Sequence, residues 1–123
     1  MTAEGIPENR GNLWAMRIHT IDELLITMRA SFAPERAHGQ VATIQYVFSG
    51  SDTGSCYAVI EDGTLQVARG EHPAPDVTVT CDFDLWLRIL AHEEDGLMAW
   101  QEGKYTVAGS METLMDADLW FAR

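Results

Sequence analysis

Residues 41–70, VATIQYVFSGSDTGSCYAVIEDGTLQVARG, decide the fold. From Val41 the residues alternate with a period of two, which is the repeat of a strand with one buried face. Ile44, Tyr46 and Phe48 face one way, while Thr43, Gln45 and Val47 face the other. SGSDTGS then supplies a turn-rich hairpin loop. Two more strands flank Asp62-Gly63, and both positions of that dipeptide tolerate positive φ, a strong hairpin signal. The stretch predicts three strands in succession.

Just upstream the period changes. In TIDELLITMRASF, residues 20–32, Thr20 is followed three residues later by Glu23, a capping box. Ile21, Leu24, Leu25, Met28 and Phe32 recur at three- and four-residue spacing and make one apolar stripe on a helix. Pro34 ends it. Residues 1–11 are polar, carry Gly5, Pro7 and Gly11, and read as a mobile tail. NLWAMRIH, residues 12–19, reads as a turn of helix that drops Leu13, Trp14 or Ile18 onto the body. The organisation is a tail over residues 1–19 and one domain over residues 20–123.

Downstream, EHPAPDVTVTCD gives a loop with two prolines and a fourth strand of alternating Val77, Thr78, Val79 and Thr80. Asp82 caps a helix FDLWLRILAHEE, and Asp95 caps a shorter one, GLMAWQEG, that stops at Gly103 in the C′ position. KYTVAG is a fifth strand, and its arrival after a two-helix crossover allows parallel pairing with an earlier strand. Ser110 caps the closing helix METLMDADLWFA. The order is helix, four strands, two helices, strand, helix. That order predicts an α+β fold, a five-stranded, mostly antiparallel sheet covered by helices.

The totals agree with one globular domain. A chain of 123 residues buries roughly two-thirds of its unfolded surface and needs no staple. No apolar run approaches the ~20 residues of a membrane span. The N-terminus has no secretory pattern, so the expected compartment is cytoplasmic, with Cys56 and Cys81 as reduced thiols in strands. A disulfide bridging two strands is the alternative. The net charge is −11, with acids gathered at Asp82, Asp84, Glu93, Glu94 and Asp95. Nucleic acid and anionic lipid surfaces both require a basic footprint, so neither is an expected partner.

Catalytic signatures are missing. AHEED at 91–95 is not HExxH, and His19, His38 and His72 stand far apart, so no metal site is expected. Ser49, Ser51, Ser55 and Ser110 occupy turn or cap contexts, and no nucleophile elbow or Cys–His pair is present. GSDTGS lacks the lysine and the helix start of a phosphate loop. Asp82 and Asp84 sit at a helix N-terminus, where the dipole favours them without catalysis. Apolar side chains remain. Met28, Met98, Met111 and Met115 fall on predicted helix faces beside Phe32, Trp100 and Trp120, and methionine adapts to varied apolar contacts. Amphipathic helices over a sheet can enclose an apolar site.

Three stretches, taken in order and spacing, carry a resemblance. They are the Asp62-Gly63 hairpin followed by Leu65 and Val67, then Pro75-Asp76-Val77-Thr78-Val79 leading to a helix with Trp86, and then Met98 to Gly109 with GKYTVAG. Together they resemble the sterol carrier protein 2 family, the sterol-transfer lipid-binding domain, over residues 20–121. The resemblance implies helices over an apolar tunnel that a C-terminal helix helps to close. It implies binding of a fatty acid, fatty acyl-CoA or sterol-like ligand, without metal, cofactor or covalent chemistry. Where the family often has a proline and an acidic residue, this chain has Gly96 and Ser110, so looser helix starts are expected there. The ending WFAR carries no peroxisomal signal.

On this reading the candidate ligand-binding residues are Leu24, Met28, Phe32, Phe48, Met98, Met111, Leu114, Met115 and Trp120. Lys104, the only lysine, is either a solvated charge or a partner for a ligand's carboxylate or phosphate. The competing reading is a homodimeric or partner-binding module with a filled core, whose patch is Leu119, Trp120 and Phe121.

Overall fold

The computed structural model describes residues 18–121. The expected tail and the turn of helix therefore lie outside the described residues, save for Ile18 and His19. Ile18 is buried in the core.

Helix α1, Ile21–Ser31, opens with the capping box read from the sequence. The Thr20 hydroxyl accepts the Glu23 N–H at 3.1 Å, and the Glu23 carboxylate accepts the Thr20 N–H at 3.0 Å. The same carboxylate accepts the His19 N–H at 2.7 Å, which together with the Thr20 contacts outweighs desolvation and holds its pKa below the ordinary value. Strands β1 (Val41–Ser49), β2 (Gly54–Glu61) and β3 (Thr64–Arg69) form the two predicted hairpins. Asp62 and Gly63 both take positive φ, 46° and 81°, as the Asp-Gly turn requires.

The sheet order is β3-β2-β1-β4-β5, with β4 at Val77–Asp82 and β5 at Thr106–Gly109. The single parallel pair among the described strands is β1 with β4, registered Ile44 to Val77 through Ser49 to Asp82. Strand β5 runs antiparallel to β4, Val77 facing Gly109 and Thr80 facing Thr106. The parallel pairing that the crossover allowed for β5 is thus absent. Helices α2 (Phe83–Leu90) and α3 (Gly96–Gln101) form an out-and-back excursion. They return the chain to the end of β4 that it left, so the next strand runs the other way.

Two predicted helices are shorter than their sequence patterns. Helix α2 stops at Leu90 because His92 takes φ 63° at C′. His92 N–H then bonds the Ile89 carbonyl, and Glu93 N–H reaches back to Arg88. These are the two bonds of a Schellman close, made here by a residue other than glycine. Helix α4 (Met111–Asp118) stops before Leu119. Its last residues turn inward, with Trp120 buried and Phe121 bridged to Phe32. Gly103 closes α3 as expected, and Lys104 N–H bonds the Ala99 carbonyl, so β5 begins at Thr106 rather than Lys104.

The helices lie over the face of the sheet that carries Ile44, Tyr46, Phe48, Cys56, Ala58, Ile60, Val77 and Val79, all buried. Helix α1 covers β3, and α4 covers β1 and β4. The opposite face is closed in one place by the loop at residues 70–76. There Gln45 is buried, its amide donating to the Cys56 and Gly70 carbonyls at 3.0 Å each. Its oxygen accepts the His72 N–H at 2.7 Å, so the buried polar group is satisfied.

Both cysteines are free and buried. A disulfide between them is ruled out by the sheet. Cys56 on β2 faces Tyr46, and Cys81 on β4 faces Phe48, so β1 lies between them. Two inter-strand spacings total roughly 9.6 Å, beyond the ~7 Å Cα separation that a disulfide tolerates.

Candidate functional site

The sheet's covered face is not packed solid. Between it and the helices lies a cavity of about 620 Å³. That is within the range of small-molecule sites.

Ile44 and Tyr46 of β1 form the floor. Leu24, Met28 and Ser31 of α1 form one wall, and Trp86, Ile89 and Leu90 of α2 another. Met111, Leu114 and Met115 of α4 close over the top, and Tyr105 enters from the start of β5. An aromatic series braces the floor. Phe83 meets Phe48 edge-on at 5.2 Å, and Phe48 stacks on Tyr46 at 5.7 Å. Tyr46 then tilts against Trp86 at 5.7 Å, and Trp86 meets Tyr105 edge-on at 5.9 Å. Such pairs hold rings in fixed geometry beyond what simple burial supplies.

Five of the nine candidate residues line the cavity: Leu24, Met28, Met111, Leu114 and Met115. The other four stand elsewhere. Phe48 is fully buried beside Tyr46 on the same face of β1 and does not line the cavity. Phe32 packs against Phe121 at 5.6 Å. Met98 points from α3 into solvent, and Trp120 is buried in the core. Tyr46, Trp86 and Tyr105 line the space without having been singled out. Tyr46 shares the period-two face of Ile44 and Phe48, and that alternation was the signal for it. The expected patch of Leu119, Trp120 and Phe121 is broken up, since Leu119 is exposed, Trp120 buried and Phe121 half-buried.

Apolar side chains share the lining with His92, Glu93, Glu94, Asp95, Asp116 and Asp118, and two of its hydroxyls bond the backbone. The Ser31 hydroxyl donates to the Thr27 carbonyl at 2.8 Å, and the Tyr105 hydroxyl to the Gly96 carbonyl at 2.8 Å. Burial raises the Tyr105 phenol's pKa, with nearby acidic groups adding to the shift, so it stays protonated. Burial likewise pushes both thiols up to about 12. Such thiols make poor nucleophiles. Among the described residues, no group of three or more His, Cys, Asp or Glu side chains is placed to hold a metal.

The helix starts beside the cavity are well fixed. The Asp95 carboxylate accepts the Met98 N–H at 2.9 Å, and the Ser110 hydroxyl accepts the Thr113 N–H at 3.0 Å. The expected looseness at Gly96 and Ser110 is therefore not found, because side-chain caps satisfy these ends. A Cβ at Gly96 would also press within 3.1 Å of Ile89 Cγ2, so this turn is closely fitted. Lys104 lies outside the lining. Its ammonium bonds Glu94 at 2.7 Å and lies 3.5 Å from Glu102, while Arg88 sits 3.4 Å from Glu94. The hydrogen bond from Lys104 outweighs desolvation and holds the Glu94 carboxyl below its ordinary range. The same bond raises the lysine.

The chain is thus an α+β domain whose helices lie over one face of a five-stranded sheet with a cavity between them. Residues 23–118 match the SCP-2 sterol transfer family, and the chain belongs to that family of lipid-binding and transfer domains. Solved structures with the same fold include sterol carrier protein 2 like 2 from Aedes aegypti. It is 17% identical, with a TM-score of 0.65, over 80% of this chain and 94% of that one. A palmitated form of that protein gives 19% identity and a TM-score of 0.57 over 97% of this chain and 93% of that one. A stereoselective inverting sec-alkylsulfatase from Pseudomonas sp. also contains the fold, at 20% identity and a TM-score of 0.76 over 83% of this chain. This chain spans only 16% of the sulfatase's length. No curated protein matches the chain.

Proposed function

We propose that the protein binds, and passes on, the apolar part of a lipid within this cavity, without covalent chemistry. The ligand is a fatty acyl chain, from a fatty acid or a fatty acyl-CoA, or a sterol-like ring system. The cavity carries the proposal: about 620 Å³ held open between floor and helices, with Leu24, Met28, Trp86 and Leu114 facing it. A palmitated form of a structural neighbour supports the same use of the fold. Among the described residues no helix is long and apolar enough to cross a membrane, which suits a carrier that does not insert.

Filling the space supplies the driving force. Each methylene taken from water contributes about 0.8 kcal/mol, so a sixteen-carbon chain gains ~13 kcal/mol before association costs. Subtracting ~5 kcal/mol for lost freedom leaves ~8 kcal/mol, or micromolar affinity. Native mass spectrometry of gently purified protein, followed by organic extraction, tests the reading. A solvent-released adduct of lipid mass is the expected result. A clean apo mass that does not shift on adding palmitate, acyl-CoA or sterol would overturn it.

A homodimer or partner-binding module is the second reading. Exposed Leu97 and Met98 on α3, Met115 on α4 and Leu119 just after it favour it. Sedimentation separates the two, since a tight dimer that takes no apolar probe supports the second.

A further inference from the structure

The walls of the cavity are not held equally. Helix α2 buries Phe83, Leu85, Trp86 and Leu90. Helix α4 buries Leu114 and Ala117, and the residues after it are tied down as well. The Trp120 carbonyl accepts the Ala33 N–H at 2.8 Å, and Phe121 bridges Phe32. The segment 93–102, which contains α3, is different. Ala99 is its one buried residue, while Leu97, Met98 and Trp100 are exposed. Yet residues 93–97 form part of the cavity lining.

The segment is bounded by two residues in the left-handed region, His92 at φ 63° and Gly103 at φ 80°. The backbone bonds that close α3 stay within residues 95–104. Ala99, Glu102 and Lys104 N–H groups donate to the Asp95, Met98 and Ala99 carbonyls. Side chains fasten the segment to the body at its base. The Tyr105 hydroxyl, on a ring buried against Trp86, donates to the Gly96 carbonyl at 2.8 Å. The Glu94 carboxylate is held from both flanks, by Lys104 at 2.7 Å and Arg88 at 3.4 Å.

We propose that residues 93–102 are the lid of the cavity, and that they open as a unit while α2 and α4 stay in place. Opening withdraws one small side chain, Ala99, and parts contacts at largely exposed positions, which is the character of a low-stability element. Lys104 is a positioning residue. It holds the lid shut and does not line the cavity. The inference rests on the lipid-binding reading for what passes the lid, whereas the motion itself is tested without ligand.

Hydrogen exchange read by mass spectrometry on the full, ligand-free chain tests the motion. Amides of 93–102 should exchange together, at least about tenfold faster than those of α4 and the sheet. Lys104→Met should speed them about two- to fivefold, the range an exposed ion pair supports, and Lys104→Arg should stay near the wild type. Tyr105→Phe keeps the ring and loses the bond to Gly96, and should speed them by a similar factor. Stopped-flow mixing with cis-parinaric acid then tests the gate. In Lys104→Met, association and release should quicken by the same factor with Kd unchanged, since one opening serves both directions. Exchange of 93–102 as slow as that of α4 would overturn the proposal. So would rates that neither variant moves. A change confined to release would make Lys104 part of the binding surface and equally refute the gate. If cis-parinaric acid does not bind although the segment exchanges as expected, the lipid-binding reading fails, and the gate fails with it.

Discussion

Met115 offers the sharpest test of the cavity. Its side chain lines the space from α4 yet remains 50% exposed, so enlarging it meets little packed protein. Met115→Trp should therefore leave stability within about 1 kcal/mol, as most surface substitutions do. The indole adds about six heavy atoms, and the expectation is that they enter the cavity that Met115 lines. If they displace only three methylenes of a bound chain, the loss is about 2.4 kcal/mol, or roughly fiftyfold in affinity. The assay is fluorophore displacement with palmitate, run beside thermal melts without and with ligand. For the wild type, ligand at a hundred times its Kd should add about 2.7 kcal/mol of stability, a rise in Tm of several degrees. The variant should lose most of that rise at the same ligand concentration. Met98→Trp is the control, because Met98 is 56% exposed on α3 and does not line the cavity. If Met115→Trp melts and binds as the wild type does, Met115 lies off the ligand's path and the assignment fails.

Four further outcomes follow from the framework. Thr20→Ala removes the α1 cap and should cost about 1 kcal/mol in urea unfolding; no change would mean that the capping box is idle. Gly109→Ala should cost more, about 1–3 kcal/mol, because φ is 99° there and a Cβ would press on the Asp76 carbonyl. Cys56 and Cys81 should resist alkylation at pH 8 until the protein unfolds, since a pKa of about 12 leaves roughly one thiolate in ten thousand. Fast labelling of the native protein would contradict their burial. Glu94 has its pKa lowered in the fold, so its contribution is present above the ordinary carboxylate value of 4.5 and is lost as pH falls below it. Denaturant midpoints of wild type and Glu94→Gln should thus differ at pH 7 and converge in acid, and a constant gap would refute the pairing.

What the sequence revealed of the fold were its local decisions. Thr20 with Glu23 starts a helix by satisfying backbone donors within one turn, and Asp62-Gly63 reverses a strand within two residues. Neither depends on distant parts of the chain. The direction of β5 was not legible in the same way. It depends on α2 and α3 returning to the end of β4 where they began, a matter of packing angles that sequence spacing does not carry. The early end of α2 at His92 was also hidden. The motif there closes on a histidine in the left-handed region, where pattern reading looks for glycine.

The candidate site divides along the same line. Leu24, Met28, Met111, Leu114 and Met115 were found because helical periodicity shows which side of a helix turns inward. That side must meet either the core or the cavity, and periodicity cannot separate the two. Phe48 and Tyr46 share one face of one strand, two residues apart, yet only Tyr46 lines the cavity while Phe48 is packed in the core. The difference arises from how the helices pack over β1. It belongs to the space between elements, not to any residue's own preference.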